Sequence, residues 1–184
     1  VEQINKIENE YPSDYTRIMN KVKLSQAEIS AMKKVADNMY FPYSEEQGVF
    51  LQQDGFLDKA LVKVSDLDPS QRPINQKWSW DRILRSPYIK QADTLQGFYF
   101  FEDDFTKEQL EKHFDFYEPF TVHESSLSPC VHSIQAATLG RMEQAYTFYL
   151  RTSRLDLDDY NKEVEEGLHI TSMAGTWMSI VEGF

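Results

Sequence analysis

Two short segments carry imidazole and hydroxyl groups in a similar order. Residues 123–126 read His-Glu-Ser-Ser and residues 169–172 read His-Ile-Thr-Ser, and each segment precedes a predicted helix start. A helix N-terminus presents unpaired N–H groups and about half a positive charge, so neighbouring hydroxyl and imidazole groups can complete a phosphate site. The pattern therefore indicates an anion site, although the hydroxyl groups could instead simply cap their helices. The candidate ligands are Ser125, Ser126, His169 and Ser172.

A second candidate binding group is the adjacent pair Lys90 and Gln91. An amine and an amide side by side can bind sugar hydroxyls, but a solvated helix face would carry the same residue types. Trp78 and Trp80 could stack on a pyranose ring, or they could anchor the polar loop that contains them. These four residues are candidates for sugar binding, and Lys90 and Gln91 are the stronger pair.

Several other functions are disfavoured by motif and composition. The four histidines lack the spacing of a zinc site, and the sequence has neither a glycine-rich phosphate loop nor a nucleophile elbow, so we expect no metal and no cofactor. The net charge of −11 disfavours nucleic acid and anionic membranes as partners. Carboxylates are plentiful, as in the acidic runs at 102–104 and 156–159, and most are expected to be surface charge; the sequence does not show which pairs could face one cleft at the separation that glycoside chemistry requires.

The chain also lacks signals for secretion or membrane insertion. No apolar run approaches the roughly 20 residues that a membrane-spanning helix needs. The single cysteine, Cys130, has no partner for an internal disulfide and is expected to be a buried thiol. A reducing, cytoplasmic setting is therefore expected.

Capping signals divide the chain into helices. A capping box at Ser25 and Glu28 predicts a helix that stops before Pro42, and a second box at Thr106 and Gln109 predicts a helix to about Phe116. Further starts are Ser86-Pro87, with a helix to about Phe101, and Ser128-Pro129, with a helix that Gly140 terminates. Two more helices are predicted over residues 141–154 and 173–181.

The segments between these helices contain no convincing strand pattern. Residues 43–79 gather turn signals and are predicted to form a long ordered loop. Short connections between helices favour stacked antiparallel hairpins. The predicted fold class is all-α.

Five segments in fixed order resemble glycoside hydrolase family 65, which includes maltose, trehalose and kojibiose phosphorylases. They are SEEQGVFLQQDG at 44–55, NQKWSWD at 75–81, IKQAD at 89–93, YEPFTVHESSLS at 117–128 and GLHITSMAG at 167–175. The resemblance implies an (α/α)6-barrel catalytic domain, of which residues 1–184 would be the C-terminal half in a longer, homodimeric enzyme. It also implies that Lys90 and Gln91 bind the sugar at subsite −1 and that Ser125, Ser126 and His169 surround phosphate.

The resemblance further implies inverting phosphorolysis of a disaccharide. The disaccharide is expected to be maltose, from the overall similarity of the sequence, and the products would be β-glucose 1-phosphate and glucose. A carboxylic acid would protonate the glycosidic oxygen while phosphate attacks the anomeric carbon. That acid is expected upstream of Val1, so we expect no catalytic residue in this chain, and the isolated chain is expected to be inactive. The alternatives are a phosphorylase or hydrolase of the same family acting on trehalose or kojibiose, and a non-catalytic helical module that binds sugar or a protein.

Overall fold

The computed structural model describes residues 1–184 as a helical chain with ten α-helices and one small two-stranded sheet. It divides into two compact units, residues 1–41 and residues 42–184. The all-α prediction is confirmed. No helix is both long enough and apolar enough to cross a membrane.

The first unit contains three helices, of which sequence reasoning found one. They are α1 (Glu2–Glu10), α2 (Pro12–Val22) and α3 (Gln26–Asp37). The capping box of α3 is present, because Ser25 Oγ accepts the N–H of Glu28 and the Glu28 carboxylate accepts the N–H of Ser25 at 2.8 Å. The polar segment before it was not predicted to be helical. Neither α1 nor α2 has a side-chain cap, although α2 begins with Pro12 in its first turn.

The second unit contains the remaining elements. They are β1 (Tyr43–Ser44), β2 (Val49–Phe50), α4 (Ile74–Lys77), α5 (Trp80–Arg85), α6 (Thr94–Phe100), α7 (Lys107–Tyr117), α8 (Ser128–Thr138), α9 (Met142–Ser153) and α10 (Ile170–Met178), which continues as a π-helical turn over Ser179–Gly183. The strands pair antiparallel as a short hairpin. The predicted starts at Thr106 and Ser128 are confirmed.

Helix α8 forms the centre of the second unit. Its residues from Ser128 to Ala136 are all buried, as expected for a helix surrounded by other elements. The chain reverses at Gly140, whose φ of +79° is readily adopted by glycine, and α9 then packs against α8. The Ser126 loop (residues 123–127), which precedes α8, is thereby fixed on the core.

The segment over residues 43–79 is ordered, as predicted, but it is not wholly a loop, because it contains the β1–β2 hairpin and α4. Its first part packs on α7. The buried ring of Phe56 lies edge-on to Tyr117, at 5.8 Å between centroids. The Tyr117 hydroxyl donates to the Phe50 carbonyl at 2.6 Å and accepts the N–H of Gln52 at 2.9 Å. Phe50 also donates its N–H to Nε2 of His113 at 2.7 Å.

The helix predicted from Ser86 to about Phe101 is wrong for its first half. Residues 86–93 are not helical, and α6 begins only at Thr94. The reason is a parallel bridge: Ile89 donates its N–H to the carbonyl of Phe120 and accepts the N–H of Val122, both at 2.9 Å. Lys90 and Gln91 therefore follow a short extended segment and do not lie on a helix face.

Candidate anion and sugar site

The two hydroxyl-bearing segments meet where α8 and α10 begin. Oγ of Ser126 and Oγ1 of Thr171 lie 3.1 Å apart, within hydrogen-bond distance, although the residues are 45 positions apart in sequence. Ser126 is half-buried and Thr171 is exposed, so solvent reaches the pair. A single anion site formed by both segments requires them to lie together, and the structure brings them together. Thr171 was in the predicted segment but was not among the predicted ligands.

His169, immediately before α10, is held by a carboxylate. Asp156 accepts a hydrogen bond from the His169 backbone N–H at 2.8 Å and one from ring Nδ1 at 2.6 Å. Because a carboxylate can only accept, Nδ1 carries the proton, and the second ring nitrogen, Nε2, is the one available to another ligand. Nε2 lies 3.7 Å from Oε2 of Glu163, which is too long for a hydrogen bond.

Asp156 belongs to an acidic run, and most carboxylates of such runs were expected to be surface charge. Its side chain is only 13% exposed. Burial opposes its ionisation, but the two donors of His169 outweigh that effect and hold the pKa of the carboxyl below its usual value. In the same acidic run, Asp158 forms an ion pair with Arg154 at 2.6 Å. Within this run, Asp156 therefore holds His169, whereas Asp158 pairs with an arginine of α9's C-terminal end.

Ser125 and Ser172 are buried and bind the protein itself. Ser125 Oγ accepts the N–H of Leu127 at 3.2 Å, and Ser172 Oγ donates to the Thr152 carbonyl at 2.5 Å. These two candidates therefore hold the loops in place. The groups that reach solvent at this position are Ser126, Thr171 and His169.

The Lys90 and Gln91 pair lies beside the strand that leads into the Ser126 loop. The bridge between Ile89 and Thr121 sets this relation, because bridged strands run roughly 4.8 Å apart. Lys90 is half-buried and Gln91 is exposed. The structure thus brings the predicted sugar residues and the predicted anion residues to neighbouring backbone segments.

The two tryptophans of the 75–81 segment behave differently. Trp78 donates its ring N–H to the Gln71 side chain at 3.0 Å, and the Arg82 guanidinium lies 3.6 Å from its ring centre. Trp78 thus anchors the loop, which is the second of the two roles that the sequence suggested for it. Trp80 is 68% exposed.

A pair of buried histidines lies beneath the Ser126 loop. The rings of His123 and His132 are 4.5 Å apart and nearly perpendicular, and His123 Nδ1 is hydrogen-bonded to Ser128 Oγ at 3.2 Å. Nε2 of both rings is buried without a hydrogen-bond partner. Burial lowers the pKa of His132 to about 4 and holds that of His123 well below the usual value. Both rings are therefore neutral at pH 7.

We predict that acid destabilises the second unit through His132. Its pKa of about 4 in the folded chain lies below the unfolded value of 6.5, so the unfolded state binds more protons and stability falls as pH drops from 6.5 towards 4. Between pH 7 and pH 5 the loss from this group is about 2 kcal/mol. Urea unfolding of the 184-residue chain at the two pH values should show a smaller difference for His132→Leu than for the unsubstituted chain. An equal pH dependence in both would contradict the prediction.

These features define a helical domain in which two helix starts bring two hydroxyls and a carboxylate-held imidazole to one position. Residues 1–178 match the family model of the glycosyl hydrolase family 65 central catalytic domain. The chain is 56% identical over 161 residues to maltose phosphorylase of Bacillus subtilis (strain 168), and 43% identical over 180 residues to α,α-trehalose phosphorylase of Thermoanaerobacter brockii. The aligned parts cover 88% and 98% of this chain.

A solved structure of the same kind of enzyme also resembles this chain. A human-microbiome protein assigned as a kojibiose phosphorylase superimposes with a TM-score of 0.82 at 40% identity, over 91% of this chain. The chain belongs to glycoside hydrolase family 65, a family of (α/α)6-barrel enzymes. It spans about a fifth of the proteins it matches: 21% and 23% of the two sequences and 22% of the solved chain.

Proposed function

We propose that this chain is part of an inverting disaccharide phosphorylase that cleaves maltose with inorganic phosphate to give β-glucose 1-phosphate and glucose. The observation that carries the phosphate site is the meeting of Ser126 and Thr171 at 3.1 Å, where two helix N-termini come together. The 56% identity to a maltose phosphorylase supports the choice of disaccharide.

In this proposal phosphate binds between the two helix starts. Ser126 and Thr171 donate their hydroxyls to it, and His169 forms a further hydrogen bond with it through Nε2. The carboxylate of Asp156 at Nδ1 fixes the orientation of the ring and the direction in which Nε2 points. A chain with a net charge of −11 repels phosphate overall, so binding depends on such a local set of donors.

Lys90 and Gln91 are proposed to bind hydroxyls of the sugar at subsite −1. Their segment lies beside the strand leading to the Ser126 loop, so the sugar and the phosphate would occupy neighbouring positions. Phosphate is itself a nucleophile, so its attack on the anomeric carbon requires no protein base. Positioning and charge stabilisation are then the main contributions of this chain.

The general acid is proposed to lie outside residues 1–184, with this chain as the C-terminal half of the barrel domain in a longer, homodimeric enzyme. The relatives' greater length supports this arrangement. No cofactor is proposed. A cytoplasmic location is proposed from the single, buried thiol of Cys130.

Trehalose and kojibiose remain the alternative substrates, because phosphorylases named for each are also similar to this chain, at 43% and 36% identity. An assay with the three disaccharides and phosphate would separate them. A hydrolase would release free glucose without phosphate, and a non-catalytic module would release nothing.

The test of the phosphate site is Ser126→Ala in the full-length enzyme. The variant loses one hydrogen bond to a charged ligand, worth about 1.5 to 3 kcal/mol, so the phosphate KM should rise about ten- to a hundredfold. The disaccharide KM should change by less than about twofold, since the sugar contacts remain. Ser70→Ala, at an exposed serine of the 43–79 segment, is the matched control. Unchanged phosphate KM and kcat would remove Ser126 from the site.

A further inference from the structure

The last turn of α9 holds both loops of the candidate phosphate site. Arg151 donates two hydrogen bonds to the carbonyl of His123, from Nε at 3.0 Å and from Nη2 at 2.6 Å. The next residue, Thr152, accepts the hydroxyl of Ser172 at its carbonyl at 2.5 Å. Two consecutive residues of α9 therefore each bind one side of the candidate site: Arg151 binds the backbone of the Ser126 loop, and Thr152 binds Ser172 in the first turn of α10.

The Arg151 contact falls on a strained residue. His123 has a φ of +53°, in the left-handed region that costs a non-glycine residue roughly 1 kcal/mol or more. Such a conformation persists when surrounding contacts hold it. Here those contacts are the guanidinium of Arg151 on the carbonyl and Ser128 on the ring.

A second guanidinium holds the preceding residue. Arg72 donates from Nη2 to the Val122 carbonyl at 2.6 Å and from Nε to the Glu124 carboxylate at 2.8 Å. Glu124 is buried and also accepts the N–H of Ile74 at 2.6 Å. The backbone leading to Ser126 is thus bound on consecutive residues, and Arg151 supplies the bond that comes from α9.

We infer that Arg151 is a positioning residue, which sets the Ser126 loop in register with the His169 loop so that Ser126 and Thr171 can bind one phosphate together. This inference rests on the proposed function. Arg151 acts through the His123 carbonyl and does not touch the ligand. Its effect should therefore depend on the presence of the Ser126 hydroxyl.

The experiment compares Arg151→Met and Arg151→Lys in the full-length enzyme. The methionine variant should raise the phosphate KM about tenfold, corresponding to about 1.4 kcal/mol, with the disaccharide KM within twofold. The lysine variant should recover part of this loss, because an ammonium donates to the same carbonyl without the paired geometry of the guanidinium. Arg154→Met is the matched control. Arg154 lies three residues after Arg151, and its guanidinium forms an ion pair with Asp158.

A double-mutant cycle with Ser126→Ala separates positioning from general support of the fold. If Arg151 acts through Ser126, Arg151→Met should raise the phosphate KM by less than about twofold in the Ser126→Ala background. An equal effect in both backgrounds, or an equal rise in both KM values, would overturn the inference. If Arg151→Met does not fold, the cycle is run with Arg151→Lys. No effect of Ser126→Ala alone would instead show that the proposed phosphate site is wrong.

Discussion

Replacing His169 by Ala in the full-length enzyme is expected to lower kcat/KM for phosphate by roughly a hundred- to a thousandfold. The variant loses a charge-assisted hydrogen bond worth about 1.5 to 3 kcal/mol. It also leaves the carboxylate of Asp156, now without its ring donor, close to the site of a second anion. Repulsion between the two anions adds to the loss.

Asp156→Asn tests the carboxylate that holds His169. Asp156 accepts from His169 with both of its oxygens, whereas the single amide oxygen of Asn can accept only one of these two donors. We expect a smaller loss for this variant, about tenfold in kcat/KM for phosphate, because the imidazole remains and only its orientation is weakened. Steady-state kinetics measures both variants. Glu165→Gln, at an exposed residue of the same loop, is the control, and an activity of His169→Ala within twofold of the control would refute the role of His169.

Local signals were sufficient for several helix starts. Thr106 and Gln109 form the predicted capping box of α7, and α8 begins at Ser128 with Pro129 as expected, although no side chain caps it. Each of these starts depends on residues within four positions, which a sequence displays directly. A missing cap does not by itself explain the helices that were missed, because α5, which Ser79 caps, was missed together with the uncapped α1 and α2.

The error at Ser86 and Pro87 has a non-local cause. Their pattern suits a helix start, but the bridge of Ile89 to Thr121 uses backbone groups that a helix would need. Thr121 is 32 positions from Ile89, so the sequence around Ser86 gives no sign of this pairing. Tertiary pairing therefore outweighs a good local start signal.

The site shows the same division between local and distant information. Ser126 and His169 were chosen as candidates because hydroxyl and imidazole groups precede recognisable helices. Asp156 was not chosen, since a carboxylate that orients a histidine 13 positions later resembles any other member of an acidic run. Ser172 was chosen for its type, and only its burial against Thr152 shows that it supports the loop.

Helix α10 presents small residues inwards and large apolar residues outwards. Ser172, Gly175 and Ser179 are buried, and a Cβ added at Gly175 would lie 2.8 Å from Cβ of Cys130. On the other side, Met173 and Trp177 are 50% and 63% exposed, and Ile180, Val181 and Phe184 are exposed as well. An apolar surface of this kind is typical of a face that further structure covers. It supports the proposal that this chain is part of a larger barrel.

The 184-residue chain on its own is therefore expected to fold, to self-associate and to show no phosphorolysis of maltose. Stacked helical hairpins contact mainly their sequence neighbours, so the core around α8 should form, while the exposed face of α10 drives association. Light scattering should show oligomers, and Trp177→Glu, which places a charge on that face, should shift them towards monomer. A strict monomer without the substitution would contradict the half-barrel proposal. Activity is expected to be absent because the proton donor is proposed to lie outside this chain, so release of β-glucose 1-phosphate by the purified chain would overturn that assignment.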